Sequence, residues 1–354
     1  MKLPRITILA TLLLTAPAAA QLQITPPATT PSPPAEKLKP KPPPVAKKKE
    51  AAPAPKPSAS PKPAPAATVI PAPPTDNSNV DLVFGAYQRG QYKTAFDLAT
   101  ARAATGDAKA MTMLGELYSN AMGIRRDYAK ALAWYKRAAD AGDREAMFAV
   151  AMLRMSGRGG PVDKGEAVKL MASAAKLGEP KAAYNLALLY LDGQTLPQDV
   201  KRSAELLRQA ADAGLPEAQY ALATFYKEGT GVPKDPERAV RLLQAATLSD
   251  NVDAEVEYAI ALFNGTGTPK NQPAAVALLR KASRHGSAIA QNRLALVLIN
   301  GMGTSVDKVE GFKWHLVAKT AGKGDPELDK QLSDLPAEER AKAEAAARKW
   351  LGTK

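Results

Sequence analysis

The chain has 354 residues, 45% hydrophobic but only 5% aromatic, with 48 basic and 35 acidic residues, a formal net charge of +13 and no cysteine. The missing thiols exclude disulfides, thiolate catalysis and thiolate metal sites. Few aromatics with abundant alanine suit closely packed helices better than a β-sandwich.

The N-terminus is basic, Met1-Lys2-Leu3-Pro4-Arg5, then apolar from Ile6 to Leu14, then small at Ala18-Ala19-Ala20. That order is the layout of a secretory signal peptide over residues 1–20, cleaved near Ala20. The alternative is an uncleaved anchor, but the apolar run is far shorter than the ~20 residues that a spanning helix needs. The expected location is therefore periplasmic or secreted. Residues 21–79 hold 18 of the 30 prolines and eight lysines against Glu36, Glu50 and Asp76. Such a stretch buries too little to offset its ordering entropy and is expected to be a disordered, extended linker. Beside its role as a spacer, its lysines suit a weak contact with an anionic envelope surface through residues 37–62.

The remaining sequence is periodic. Rows of 36 starting at Ala108, Arg144, Pro180, Pro216, Val252 and Ala288 stack without a gap to Lys323. The third position is alanine in every row, from Ala110 to Ala290, and the thirty-first is alanine from Ala138 to Ala318. Small residues at fixed points mean backbones that approach closely. Each row predicts two helices. In "PEAQYALATFYKEG", Ala218, Leu222, Phe225 and Tyr226 recur at helical spacing, and Gly229 suits the left-handed residue past a helix end. The twentieth position, Asp127, Asp163, Asp199, Asp235, Asn271 and Asp307, supplies N-caps for the second helices. Gly142, Gly178, Gly214, Gly286 and Gly322 end them; Asp250 breaks the rule, and Asn251 is expected to set that turn. Helix pairs of this size bury their apolar faces only by stacking. The fold class is all-α: an α/α solenoid of six helix-pair repeats over residues 108–323, with capping helices at 80–107 and 324–354.

These rows resemble the Sel-one-like repeat family, relatives of the tetratricopeptide repeat with a longer loop. The first row carries the pattern in Ala110, Leu114, Gly115, Tyr118, Gly123, Asp127, Ala131, Trp134, Tyr135, Ala138, Ala139 and Gly142, and the fourth in Gly229-Thr230-Gly231-Val232. The resemblance covers about 60% of the chain and implies a superhelical scaffold whose first helices line a concave, partner-binding face. Similar envelope members regulate signalling or polysaccharide production.

No catalytic constellation stands out. "EGTGVPKDPERA" is not a phosphate loop: one residue separates its glycines, and Lys234 is followed by Asp235. The two histidines lie 30 residues apart, His285 as a helix C-cap and His315 as a half-buried packing residue, so no metal site or cofactor is expected. Residues 80–354 interleave 38 basic with 32 acidic residues and show no nucleic-acid-binding motif. Positions five, nine and twelve of the rows predict an apolar strip. Phe148, Met152, Tyr184, Leu188, Tyr220, Lys227 and Phe263, with the amides of Asn185 and Asn292, are the candidate partner-binding residues. The expected function is a non-catalytic envelope scaffold that binds a protein or extended peptide on this strip. The alternatives are a cell-wall-associated structural protein tethered by its tail and, last, a hydrolase of cell-wall material.

Overall fold

A computed structural model describes residues 81–352; the expected signal segment and the expected linker lie outside the described residues. All sixteen elements there are helices: α1 (Leu82–Gln88), α2 (Tyr92–Ala104), α3 (Ala108–Asn120), α4 (Tyr128–Asp140), α5 (Arg144–Ser156), α6 (Lys164–Lys176), α7 (Pro180–Asp192), α8 (Val200–Asp212), α9 (Pro216–Glu228), α10 (Pro236–Thr247), α11 (Val252–Asn264), α12 (Gln272–Arg284), α13 (Ala288–Ile299), α14 (Lys308–Thr320), α15 (Pro326–Ser333) and α16 (Ala337–Gly352). From α1 to α14 each helix packs against the one before and the one after; α16 then returns onto α14. The result is a helical solenoid in which each repeat touches its neighbours in sequence.

The caps explain where the helices begin. Asp127, Asp163, Asp199, Asp235, Asn271 and Asp307 each accept a hydrogen bond from the backbone N–H three residues on, at 2.8–3.1 Å. Each such cap contributes about 1 kcal/mol to its helix. The alanine columns explain how closely the helices approach. Ala146, Ala182 and Ala218 are fully buried, as are Ala138, Ala174 and Ala210, so no larger side chain fits at those crossings.

The loop at Glu228–Ala239 is now a stacking device. Gly229 takes φ +81° and closes α9, its N–H donating to the Phe225 carbonyl at 2.8 Å. Gly231, at φ +67°, lies so close to the start of α8 that a Cβ there would sit 2.6 Å from the Val200 carbonyl oxygen. Gly159 on Tyr128, Gly267 on Pro236 and Gly303 on Gln272 repeat the contact. Gly123 makes the same approach to Tyr92, which shows that α2 occupies the second-helix place. The N-terminal pair therefore keeps the 36-residue register and shortens only its own turn.

One expectation needs correcting. At the irregular turn it is Asp250, not Asn251, that adopts the left-handed conformation, at φ +53°. Its carboxylate meets the Lys281 ammonium at 2.7 Å, while Asn251 is extended and caps α11. At the C-terminal end Trp350 packs edge-on to Trp314, with ring centroids 5.0 Å apart, whereas Leu351 points to solvent.

Candidate interaction surface

The strip is built from the first helices of successive repeats. Phe148 on α5, Tyr184 on α7 and Tyr220 on α9 share one row position, and the structure seats them, with Met152, half-buried against a single core cluster. The other strip residues divide. Leu188 and Phe263 are core residues, 8% and 6% exposed. The Asn185 side-chain amide donates to the Lys181 carbonyl one turn back, at 2.8 Å. That of Asn292 donates to the Lys323 carbonyl at 3.2 Å. Lys227 is paired with Glu257 at 3.0 Å. The surface left for a partner is the half-open row of Phe148, Met152, Tyr184 and Tyr220.

Acids edge the row. Burial, then Glu217, pushes the Tyr184 phenol up, and burial with Glu257 and Asp253 pushes Tyr220 up further. Both phenols are therefore neutral hydrogen-bonding groups at physiological pH. Sequence reasoning passed over these acids because they fall in other columns of the repeat.

The two histidines serve the frame. His285 closes α12, and its Nδ1 lies 3.3 Å from a carboxylate oxygen of Glu255, which is completely buried. The Lys281 ammonium pairs with the same carboxylate at 2.8 Å. At this row position Gln219 and Gln291 instead donate to the carbonyls of Ala211 and Ser283, at 3.3 and 3.1 Å. A carboxylate has no proton to donate, so the fifth repeat replaces that bond with a pairing to the Lys281 ammonium. Comparing Glu255 with its two glutamine siblings was the signal that sequence reading missed. His315 is fully buried rather than half-buried, and its Nε2 lies 2.8 Å from Asp329 Oδ1 on α15. Among the described residues no group of three His, Asp or Glu is placed to hold a metal ion, and no helix is long and apolar enough to cross a membrane.

The Sel1 repeat family model matches residues 108–143, 144–179, 180–215, 216–251, 252–287 and 288–323. Among solved structures, a Sel1 repeat protein from Oxalobacter formigenes is similar at 26% identity and a TM-score of 0.61, covering 68% of this chain and 98% of its own. A protective antigen from uropathogenic Escherichia coli with the same repeat fold is similar at 22% identity and a TM-score of 0.48, covering 73% of this chain and 64% of its own. No curated protein matches the chain.

Proposed function

The chain belongs to the Sel1 repeat family, whose stacked helix pairs are generally non-catalytic protein-interaction scaffolds, and from that premise we propose that it holds an extended protein or peptide segment against the Phe148–Tyr184–Tyr220 row. The observation that carries this reading is the register of the rings. Three aromatic side chains occupy one position of three consecutive repeats, packed on the core along one side and open along the other. Large, rigid side chains in such a setting give contact area at low entropic cost. The cellular setting we propose is the periplasm, reached through the signal segment. The role there is that of an assembly scaffold in envelope signalling or polysaccharide production.

The test is a photo-crosslinking amino acid, benzoylphenylalanine, placed at Tyr184 or Tyr220 in intact cells, with Leu248 as the control. Leu248 is 85% exposed on an inter-repeat turn. The expected result is one discrete adduct at both ring positions and none at Leu248. Envelope retention without an adduct at either ring would instead support the tethered structural protein. The export reading has its own check: the protein recovered from the periplasmic fraction should begin at Gln21.

A further inference from the structure

A second surface lies on the loop edge of the first two repeats, away from the aromatic row. Arg126, in the loop between α3 and α4, and Arg158, in the loop between α5 and α6, converge on one side chain. Their guanidinium carbons lie 5.8 and 5.4 Å from the centre of the Tyr128 ring. The backbone imposes this meeting, because Gly159 is seated against the Tyr128 carbonyl and carries Arg158 to the ring. Lys130 lies over the neighbouring Tyr118 ring at 5.5 Å, and Arg125 stands exposed beside Arg126.

What distinguishes the cluster is that two guanidinium groups meet on one ring while neither has an acid partner. Asp127 is engaged in capping α4 and in a 3.8 Å contact with Lys130. Several other basic side chains of the repeats do have acid partners: Arg154 and Lys136 pair with Glu166, Arg202 with Glu205, Arg238 with Asp235. Among the described residues no carboxylate lies within ion-pair distance of Arg125, Arg126 or Arg158. The corresponding loops of the third to sixth repeats hold at most one base each, Lys234 and Lys270. A guanidinium laid on an aromatic face keeps its N–H edges free, and its fork matches a carboxylate with two parallel hydrogen bonds. Holding the fork in place beforehand lowers the ordering cost of binding. Val162, 57% exposed, adds an apolar side chain on the same loop as Arg158.

We propose that Arg125, Arg126, Lys130 and Arg158, arrayed around Tyr128, form a docking surface for an acidic protein segment, whose carboxylates are taken by the two ring-held guanidinium forks. The surface is independent of the aromatic row, and substitutions in one leave the other intact. A protein segment is favoured over a phosphate polymer because protein is the partner class of this architecture.

The experiment uses the full mature chain and a fluorescein-labelled decapeptide of glutamate, with a glutamine decapeptide and inorganic polyphosphate as the other arms. Benzoylphenylalanine at Val162 is compared with the same group at Val306, the equivalent position of the sixth repeat and also 57% exposed. Glutamate peptide should crosslink at 162 and not at 306. The R126Q/R158Q pair should weaken binding tenfold or more. K234Q/K270Q, which removes equal charge from the same edge, should change it less than twofold. R126K/R158K should recover only part of the loss. Urea midpoints of these variants, all at solvent-accessible sites, establish that the fold is kept. Equal labelling at 162 and 306, equal loss in the two glutamine pairs, or full recovery by lysine overturns the proposal. Tighter binding of polyphosphate than of glutamate peptide, through the same arginines, reassigns the surface to phosphate polymers and also overturns it.

Discussion

At Gly115 the first repeat departs from its siblings, which all carry alanine at that position, and the reason lies across the helix pair at Tyr135. The facing position is Met171, Leu207, Leu243, Leu279 or His315 in the other rows. Tyr135 is buried, and its hydroxyl sits 3.4 Å from Ser119 Oγ. A Cβ on Gly115 would come within 2.6 Å of the ring, far inside contact distance. The missing methyl is the space the ring occupies. G115A alone is therefore expected to cost roughly 1–3 kcal/mol by overpacking, and Y135L alone about as much by loss of buried contacts. Together they recreate the Ala187–Leu207 pairing of the third repeat. The double variant should lose at least 1 kcal/mol less than the sum of the singles, since contacting residues couple at that scale. Urea unfolding of the four proteins measures the coupling; strictly additive losses would sink the explanation. The small size of this column was legible in the sequence. The choice of glycine was not, because its cause sits in another column, twenty residues away.

Beside its apolar packing, α15 is tied to α14 by a polar latch that falls outside the 36-residue period. His315 belongs to α14 and Asp329 to α15, and the Lys319 ammonium shares Asp329 Oδ1 at 2.8 Å. Periodicity placed His315 in an apolar slot but said nothing of what would cover it, so its full burial could not be read from its column. Lys319, then His315, hold the Asp329 carboxyl below its usual value of 3.8. The sign of the resulting linkage follows. A carboxylate whose folded-state pKa is depressed stabilises the fold above the unfolded-state value, and this support is lost as pH falls through the folded-state value. Acid should thus loosen the cap below about pH 3.8, before or with global unfolding. Tryptophan reports it well, since Trp314 and Trp350 form the edge-on pair at this end and only Trp134 lies elsewhere. In a W134F background the fluorescence step should fall in that acid range. D329N, which never carries the charge, should lack it. An unchanged acid step in D329N would show that the latch carries no such support.

Across the whole molecule the period fixes equivalence but not exposure, which is why the fold was more legible than the binding surface. Capping aspartates, loop glycines and alanine columns all mean the same thing in every row. The strip residues do not: Leu188 and Phe263 sink into the core, while Asn292 is tied to the turn at Lys323. Which member of a column stays open depends on the side chains of the next repeat, and no single row contains that information. The same locality makes the solenoid modular. At each repeat junction the N–H of the last residue reaches back to the carbonyl of the thirty-first, as in Glu179 to Ala174 at 2.9 Å and Leu215 to Ala210 at 3.1 Å. Deleting residues 180–215 joins Glu179 to Pro216, and Glu179 already caps a helix opened by proline, Pro180. The join reproduces a native junction, and α6 then meets α9 with alanines at the same crossing points. Stability in such stacks is close to a sum over repeats and their interfaces. The deletion should therefore melt cooperatively, at a lower midpoint, with unchanged helix content per residue by circular dichroism. Removing half as much, residues 198–215, strips α8 and sets α7 against α9 with no second helix between them. That protein should lose its cooperative transition. If both deletions melt alike, register is not what holds the stack together.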